Sequence, residues 1–176
     1  MGREEHERRG DQLADEFEIT DEMRSQIGHD SDPWTYEVTT TSVRMYARGI
    51  GSEDPIHYDA DFAKAQGFRS VVAPAGYLGT PVYSPATNDP TFGFPRRGGQ
   101  PRLNIPFKRL LDGGTETEYF DVICAGDVLE ETSHLADIKL RDGAMGKMLF
   151  LTNESVYKNK ATGKVVAKQK LTSIHY

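Results

Sequence analysis

The chain has 176 residues, 37% of them hydrophobic and 27% charged, with a formal net charge of −6. That length suits one domain with a buried core, and the acidic balance gives no footprint for nucleic acid. No apolar run is long enough for a bilayer, and residues 1–10 alternate in charge without the apolar segment of a secretory signal.

Residues 1–30 read as an N-terminal arm or short helix and residues 31–176 as one domain. Leu13, Phe17 and Ile19 stand among acids within residues 11–27 and predict a short amphipathic helix. After Pro33 an alternating strand begins, with Trp34, Tyr36 and Val38 on one face. Thr41 or Ser42 caps a helix over residues 43–48, which Gly49 and Gly51 break. Ser52–Tyr58 is a turn-rich loop, because Pro55 disfavours helix at Asp54. Asp59 caps a helix over residues 60–66, with Gly67 as its stop. The apolar stretch from Val71 leads to Pro74, which opens a buried helix reaching Val82.

Residues 84–106 are rich in Pro, Gly, Arg and Asn and predict a long loop of the kind used as a lid or interface segment. Past Gly113 and Gly114 the pattern changes. Residues 115–124, 128–140, 148–158 and 165–174 read as four strands with turn signals between them, hence an antiparallel meander. A sheet with one apolar face needs a cover, and the helix from Pro74 is the strongly apolar one. The predicted class is α+β: an antiparallel sheet wrapped around a central helix, the hot-dog arrangement. Cys124 is the only cysteine, so the chain forms no internal disulfide and a reducing, cytoplasmic setting fits. It is expected as a small buried hydrophobe in a strand. His134 and His175 are expected as satisfied strand histidines. No zinc spacing, dinucleotide fingerprint or Walker loop is present.

The segment Tyr46–Ala63, YARGIGSEDPIHYDADFA, resembles the hydratase signature of the MaoC-like (R)-specific enoyl-CoA hydratases. That signature is an aromatic residue, a short spacer, Gly-Asp-x-Asn-Pro-aliphatic-His, five residues and then Ala. Tyr46, Gly51, Pro55, Ile56, His57 and Ala63 match it. Gly67-Phe68, Val72–Gly76, Gly113–Phe120 and Ala125–Leu129 follow at family spacing. The Ala73-Pro74 start and the run Asn104–Leu110 look like the N-terminal-domain subfamily of MaoC-like dehydratases. The resemblance covers nearly everything from Trp34 onward. It implies a hydro-lyase that reversibly adds water to a 2-enoyl thioester, such as an acyl-CoA, with neither metal nor redox cofactor. It also implies a second hot-dog subunit or a homodimer, since joined units form one continuous sheet and hide edge strands.

Two positions depart from the signature. Ser52 stands where the family has its catalytic Asp, and Asp54 where it has Asn. In the family, Asp and His together hold the water. A carboxylate is needed because a proton must be accepted and then returned at the α-carbon, and an unassisted serine hydroxyl cannot accept it at neutral pH. His57 is either a base or water holder, or a ring bonded to a backbone carbonyl in a tight loop. Asp54 either replaces the missing carboxylate or, as an Asx-type acceptor, closes the turn, while Glu53 either replaces that carboxylate or is exposed.

Pro74, Ala75 and Gly76 open the predicted buried helix, where free amides and a positive dipole suit a thioester carbonyl becoming an enolate. The amides of Ala75 and Gly76 would be the donors. The alternative is that small residues let the helix pack on the sheet. Tyr77, Phe92 and Phe94 either line an acyl tunnel or pack the core. Three functions stay open: an enzyme subunit whose partner carries the Asp/His pair, a self-sufficient homodimer using His57 with Asp54 or Glu53, and a non-catalytic acyl-CoA-binding scaffold.

Overall fold

The computed structural model describes residues 14, 16–79, 103–143 and 146–176. Its elements are α1 (Asp21–Ser25), β1 (Trp34–Glu37), α2 (Thr40–Gly49), a 3-10 turn (Pro55–His57), α3 (Ala60–Ala65) and a second 3-10 turn (Tyr77–Gly79). There follow β2 (Leu110–Tyr119), β3 (Val128–Gly143), β4 (Gly146–Asn159) and β5 (Val165–His175). The described strands form one antiparallel five-stranded sheet in the order β1-β3-β4-β5-β2. Three strands of the predicted four-strand meander, β3, β4 and β5, are consecutive neighbours at its centre, but the first departs from it: β2 pairs with β5 rather than β3, and β1 takes the place beside β3.

The apolar stretch ahead of Gly79 lies against the sheet, as a cover must. Val71, Tyr77 and Leu78 share one core cluster with Val38, Leu129, Tyr157, Val166 and Ala167. The amphipathic α2 contributes Val43 to the same cluster, and its Ala47 is equally buried. Side chains of this size contribute about 1.5–3 kcal/mol each when fully withdrawn from water. A second cluster joins Met23 of α1 and Phe107 to Leu135, Ile138, Leu149 and Leu151, with Phe17 and Ile19 packed against it. The lead-in residues and the 103–107 segment thus cover the far part of the β3–β4 hairpin.

Several local expectations are corrected. The cap of α2 is Thr39 rather than Thr41 or Ser42. Ser42 is its partner three residues on, and the two complete a reciprocal capping box. The first late strand is Leu110–Tyr119, not residues 115–124, because residues 110–112 find β5 partners across a bulge at Gly113. Cys124 is buried as expected but forms only an isolated bridge with Val72. The described part of the lead-in contains α1 at Asp21–Ser25. Buried positions on β3 alternate through Leu129, Glu131, Ser133 and Leu135, then change parity to Ile138 where the register slips between Leu135 and Asp137. No sequence signal marks that bulge.

The helix predicted from Pro74 does not start there. Gly76 has φ +87°, left-handed backbone that an α-helix cannot pass through, so residues 74–76 form a turn. Tyr77–Gly79 then makes a single 3-10 turn. The predicted continuation to Val82, the loop over residues 84–102, Phe92, Phe94 and Leu13 lie outside the described residues.

Candidate functional site

The site is built outward from the end of α2. Gly51, at φ +71°, ends the helix. Its N–H donates to the Arg48 carbonyl at 3.1 Å, and the Ser52 N–H reaches back to the Ala47 carbonyl at 2.9 Å. This paired closure needs a left-handed residue, which glycine adopts without steric cost. It fixes the half-buried Ser52 by its backbone, and the Tyr58 hydroxyl adds a 2.6 Å hydrogen bond to the Ser52 carbonyl.

Asp54 caps the 3-10 turn that follows. Its carboxylate accepts the Ile56 N–H at 3.0 Å and is turned into its own loop. That is the Asx-type role, and it serves the sequence by holding Pro55 at the first position of the turn. Glu53 is exposed.

His57, at the end of that turn, is half-buried, and its Nδ1 lies 2.7 Å from the Val72 carbonyl. A carbonyl only accepts, so Nδ1 carries a proton and donates, and in the neutral ring the lone pair is then on Nε2. The link runs both ways, since the Val72 N–H donates to the Ile56 carbonyl at 3.0 Å. On its other side the same segment meets the loop before β3: the Ala73 N–H donates to Ile123 O at 2.8 Å and the Ala125 N–H to Val71 O at 2.9 Å. Residues 71–73 are therefore a backbone rail between the His57 loop and residues 123–125. This rail brings His57 next to the Pro74–Tyr77 turn.

At that turn Pro74 is buried, while Ala75 and Gly76 are exposed. The Gly76 N–H is not free: it donates to the Tyr119 hydroxyl at 3.0 Å. A second phenol crowds the same glycine, because a Cβ there would run into the Tyr46 hydroxyl. Tyr46 meets Tyr77 edge to face at 5.9 Å between ring centres, and the Tyr77 hydroxyl lies 2.6 Å from Ser42 Oγ. Tyr77 is 1% exposed, so it packs in the core. Burial pushes the Tyr77 hydroxyl above its ordinary value, against the opposing Ser42 hydrogen bond. Burial does the same to Tyr119, with the Gly76 amide pulling the other way. Both phenols therefore stay protonated near neutral pH. Beside Tyr119 opens a mainly apolar cavity of about 460 Å³, lined by Val72, Ala73, Ala75, Phe120 and Ile123 among others.

The structure thus unites His57 with Pro74, Ala75, Gly76 and Tyr77 through the Val72 rail. Ser52 joins them through Tyr58. The Asp54 carboxylate does not join, and no carboxylate bonds His57 among the described residues. Sequence reasoning missed Tyr119 as a site residue. It also missed the clamp in which Asp127 accepts from Arg69 at 2.7 Å and from the Cys124 N–H at 2.8 Å. The available signal was positional: a polar-tipped aromatic at a strand end, and an Asp in a Gly-Asp turn. His134 pairs with Asp30 at 2.9 Å, and His175 lies 3.1 Å from Ser173 Oγ, so both strand histidines are satisfied. Among the described residues no cluster of His, Cys, Asp or Glu is arranged to hold a metal ion, and no helix is long and apolar enough to cross a membrane.

Comparison with known proteins bears on this geometry. The family described as "FAS1-like, dehydratase domain region" matches residues 25–169. A UPF0336 protein of Saccharopolyspora erythraea is 31% identical over 124 residues, which is 68% of this chain and 72% of that protein. Among solved structures, a MaoC-like dehydratase superposes with TM-score 0.65 and 26% identity over 86% of this chain. The chain spans only 42% of that longer protein. The HadBC (3R-hydroxyacyl-ACP dehydratase) complex of Mycobacterium tuberculosis shares the fold, with TM-score 0.61 and 14% identity over 85% of this chain and 96% of its own. With residues 25–169 matched by that family and the five-stranded antiparallel sheet superposing on a MaoC-like dehydratase, the chain belongs to the FAS1-like dehydratase-region family of MaoC-like, hot-dog-fold dehydratases and hydratases.

Proposed function

We propose that this chain is one half of an acyl-thioester hydratase/dehydratase whose complete acid/base pair resides on a partner hot-dog subunit. In the reaction, hydroxide from water bonds to C3 of a 2-enoyl thioester and a proton bonds to C2; dehydration reverses both. The observation that carries the reading is the state of His57. Its ring is oriented by the Val72 carbonyl, yet Ser52 stands at the family's Asp position and the Asp54 carboxylate is committed to Ile56. A base is present, and the group that should exchange the second proton is not.

Two further facts support a partner. HadBC is a complex of more than one subunit, and the MaoC-like dehydratase that this chain resembles extends well beyond the length of one such unit. Strand β2 also ends the described sheet with only β5 beside it, and Leu110 and Leu111 are 63% and 46% exposed, an edge that a second sheet could continue. The substrate reading is a 2-enoyl or 3-hydroxyacyl thioester on CoA or a carrier protein, accommodated in the apolar cavity at Tyr119.

The test is hydration of crotonyl-CoA by the purified chain, alone and mixed with a hot-dog subunit bearing an intact Gly-Asp-x-Asn-Pro-x-His loop. Turnover only in the mixture is expected. One observation favours a second reading, a self-sufficient homodimer: the His57 ring is oriented by the Val72 carbonyl through Nδ1. Hydration by the lone chain that disappears in His57→Ala would establish that alternative. Acyl-CoA binding without turnover in either format would mark a scaffold.

A further inference from the structure

The amide that should receive a thioester carbonyl is occupied by a phenol. The Gly76 N–H donates to the Tyr119 oxygen at 3.0 Å, which leaves the phenolic hydrogen to be directed elsewhere, and no acceptor takes it among the described residues. Accepting one hydrogen bond polarises a hydroxyl and makes it a better donor in turn. Tyr119 lines the apolar cavity with Val72, Ala73, Ala75 and Ile123, on the side reached by the His57–Val72 rail. Its phenol is also held in the protonated form by burial.

We propose that the Tyr119 hydroxyl, braced by the Gly76 amide at the cavity wall, donates the hydrogen bond that captures the carbonyl of an acyl thioester. This rests on the acyl-thioester reading above and adds to it a donor that comes from a side chain rather than from the backbone turn. The turn then acts indirectly. Gly76 orients the phenol, and the Tyr46 hydroxyl lies against the same glycine. The recognised chemistry is a thioester carbonyl on a phosphopantetheine arm, whether the arm belongs to CoA or to a carrier protein.

The probes are butyryl-CoA, which has the carbonyl but cannot be hydrated, S-butyryl-pantetheine, and free CoA, which lacks the acyl group. Binding is measured by calorimetry on the full chain and on Tyr119→Phe, in parallel with thermal melts. Loss of one neutral hydrogen bond weakens binding about 5- to 10-fold. The expected result is that weakening for both butyryl probes and none for CoA, with a melting temperature lowered by only a few degrees as the Gly76 N–H loses its acceptor. A second readout does not depend on affinity. The infrared carbonyl stretch of carbonyl-13C-labelled butyryl-CoA should shift to lower frequency on the wild-type chain, and that shift should vanish on Tyr119→Phe. If the wild-type chain binds butyryl-CoA no better than CoA, the acyl-thioester reading falls and takes this proposal with it. If it prefers butyryl-CoA but Tyr119→Phe binds it equally well or more tightly with the carbonyl shift retained, only the Tyr119 assignment is overturned. Tighter binding would show that the phenol blocks the amide.

Discussion

Replacing Gly76 with alanine tests the turn on which the site depends. Two penalties combine there. Left-handed backbone costs an L-residue about 1–2 kcal/mol, and Gly76 sits at φ +87°. The new Cβ also meets the Tyr46 hydroxyl, so Tyr46 must swing away. That movement sacrifices its edge contact with Tyr77, worth about 0.5–1.5 kcal/mol, and disturbs the Gly76–Tyr119 hydrogen bond, worth about 1 kcal/mol. The expected loss for Gly76→Ala is about 2–4 kcal/mol. Gly51→Ala supplies the control: its φ is +71° with nothing within 4 Å of the added Cβ, so it should cost only the backbone penalty of about 1–2 kcal/mol. Tyr46→Phe supplies the rescue. With the hydroxyl gone, the nearest remaining atom is Tyr46 Cζ at 3.6 Å, an ordinary contact. Urea unfolding of the two single variants and the double variant completes a thermodynamic cycle. The double variant should recover about 1–2 kcal/mol relative to the sum of the singles. If the two changes simply add, Tyr46 does not press on Gly76 and the account of this turn is wrong.

Three more outcomes follow from the surroundings of the site. Backbone donors from Phe62 and Asp61 hold the Asp59 carboxyl below its ordinary value, so its ionised form stabilises the fold above the unfolded value of about 3.9, and this stabilisation is lost as pH falls through the lowered native value; Asp59→Asn should flatten the acid limb of a stability–pH curve. Asp127→Ala should cost about 2–3 kcal/mol in urea, because it strands the Cys124 N–H and one face of Arg69, whereas Arg69→Ala, at a cation 56% exposed, should cost at most about 1 kcal/mol; equal losses would refute the clamp. Burial holds the His175 ring below its ordinary value, so the unfolded chain takes up the proton first and stability falls as pH drops below about 6.5; His175→Phe should remove that slope from denaturant titrations.

The sequence revealed what local chemistry dictates. Alternation gave β3, β4 and β5 to within a few residues, since each strand sets one face against the core. Asp59 and Gly67 bracket α3 as capping rules require, and Gly51 ends α2. The Asx role of Asp54 was legible because it concerns a hydrogen bond spanning two residues. What escaped detection involves partners far apart in the chain. Gly76 and Tyr119 meet across 43 residues, and no local pattern announces that a strand-end phenol will take a backbone amide. Nor could periodicity expose the turn at Gly76. Pro74 followed by small residues fits a helix start and a turn equally well, and tertiary crowding by Tyr46 favours the turn.

The departure at position 52 has a structural logic. Ser52 is held through its own backbone groups, its N–H on the Ala47 carbonyl and its carbonyl on the Tyr58 hydroxyl. His57 is likewise oriented by a carbonyl, and the rail at Val72 is backbone throughout. A carboxylate at position 52 would therefore be a chemical element of this site without being an architectural one. Losing it removes a proton-transfer group while leaving the loop, the rail and the cavity wall in place. On the proposed reading, a frame held by hydrogen bonds at Ala47, Tyr58 and Val72 keeps the imidazole and the phenol in place without a carboxylate at position 52. Under the proposal made above, that arrangement would let two hot-dog units divide labour, with one contributing chemistry and the other the wall of the cavity.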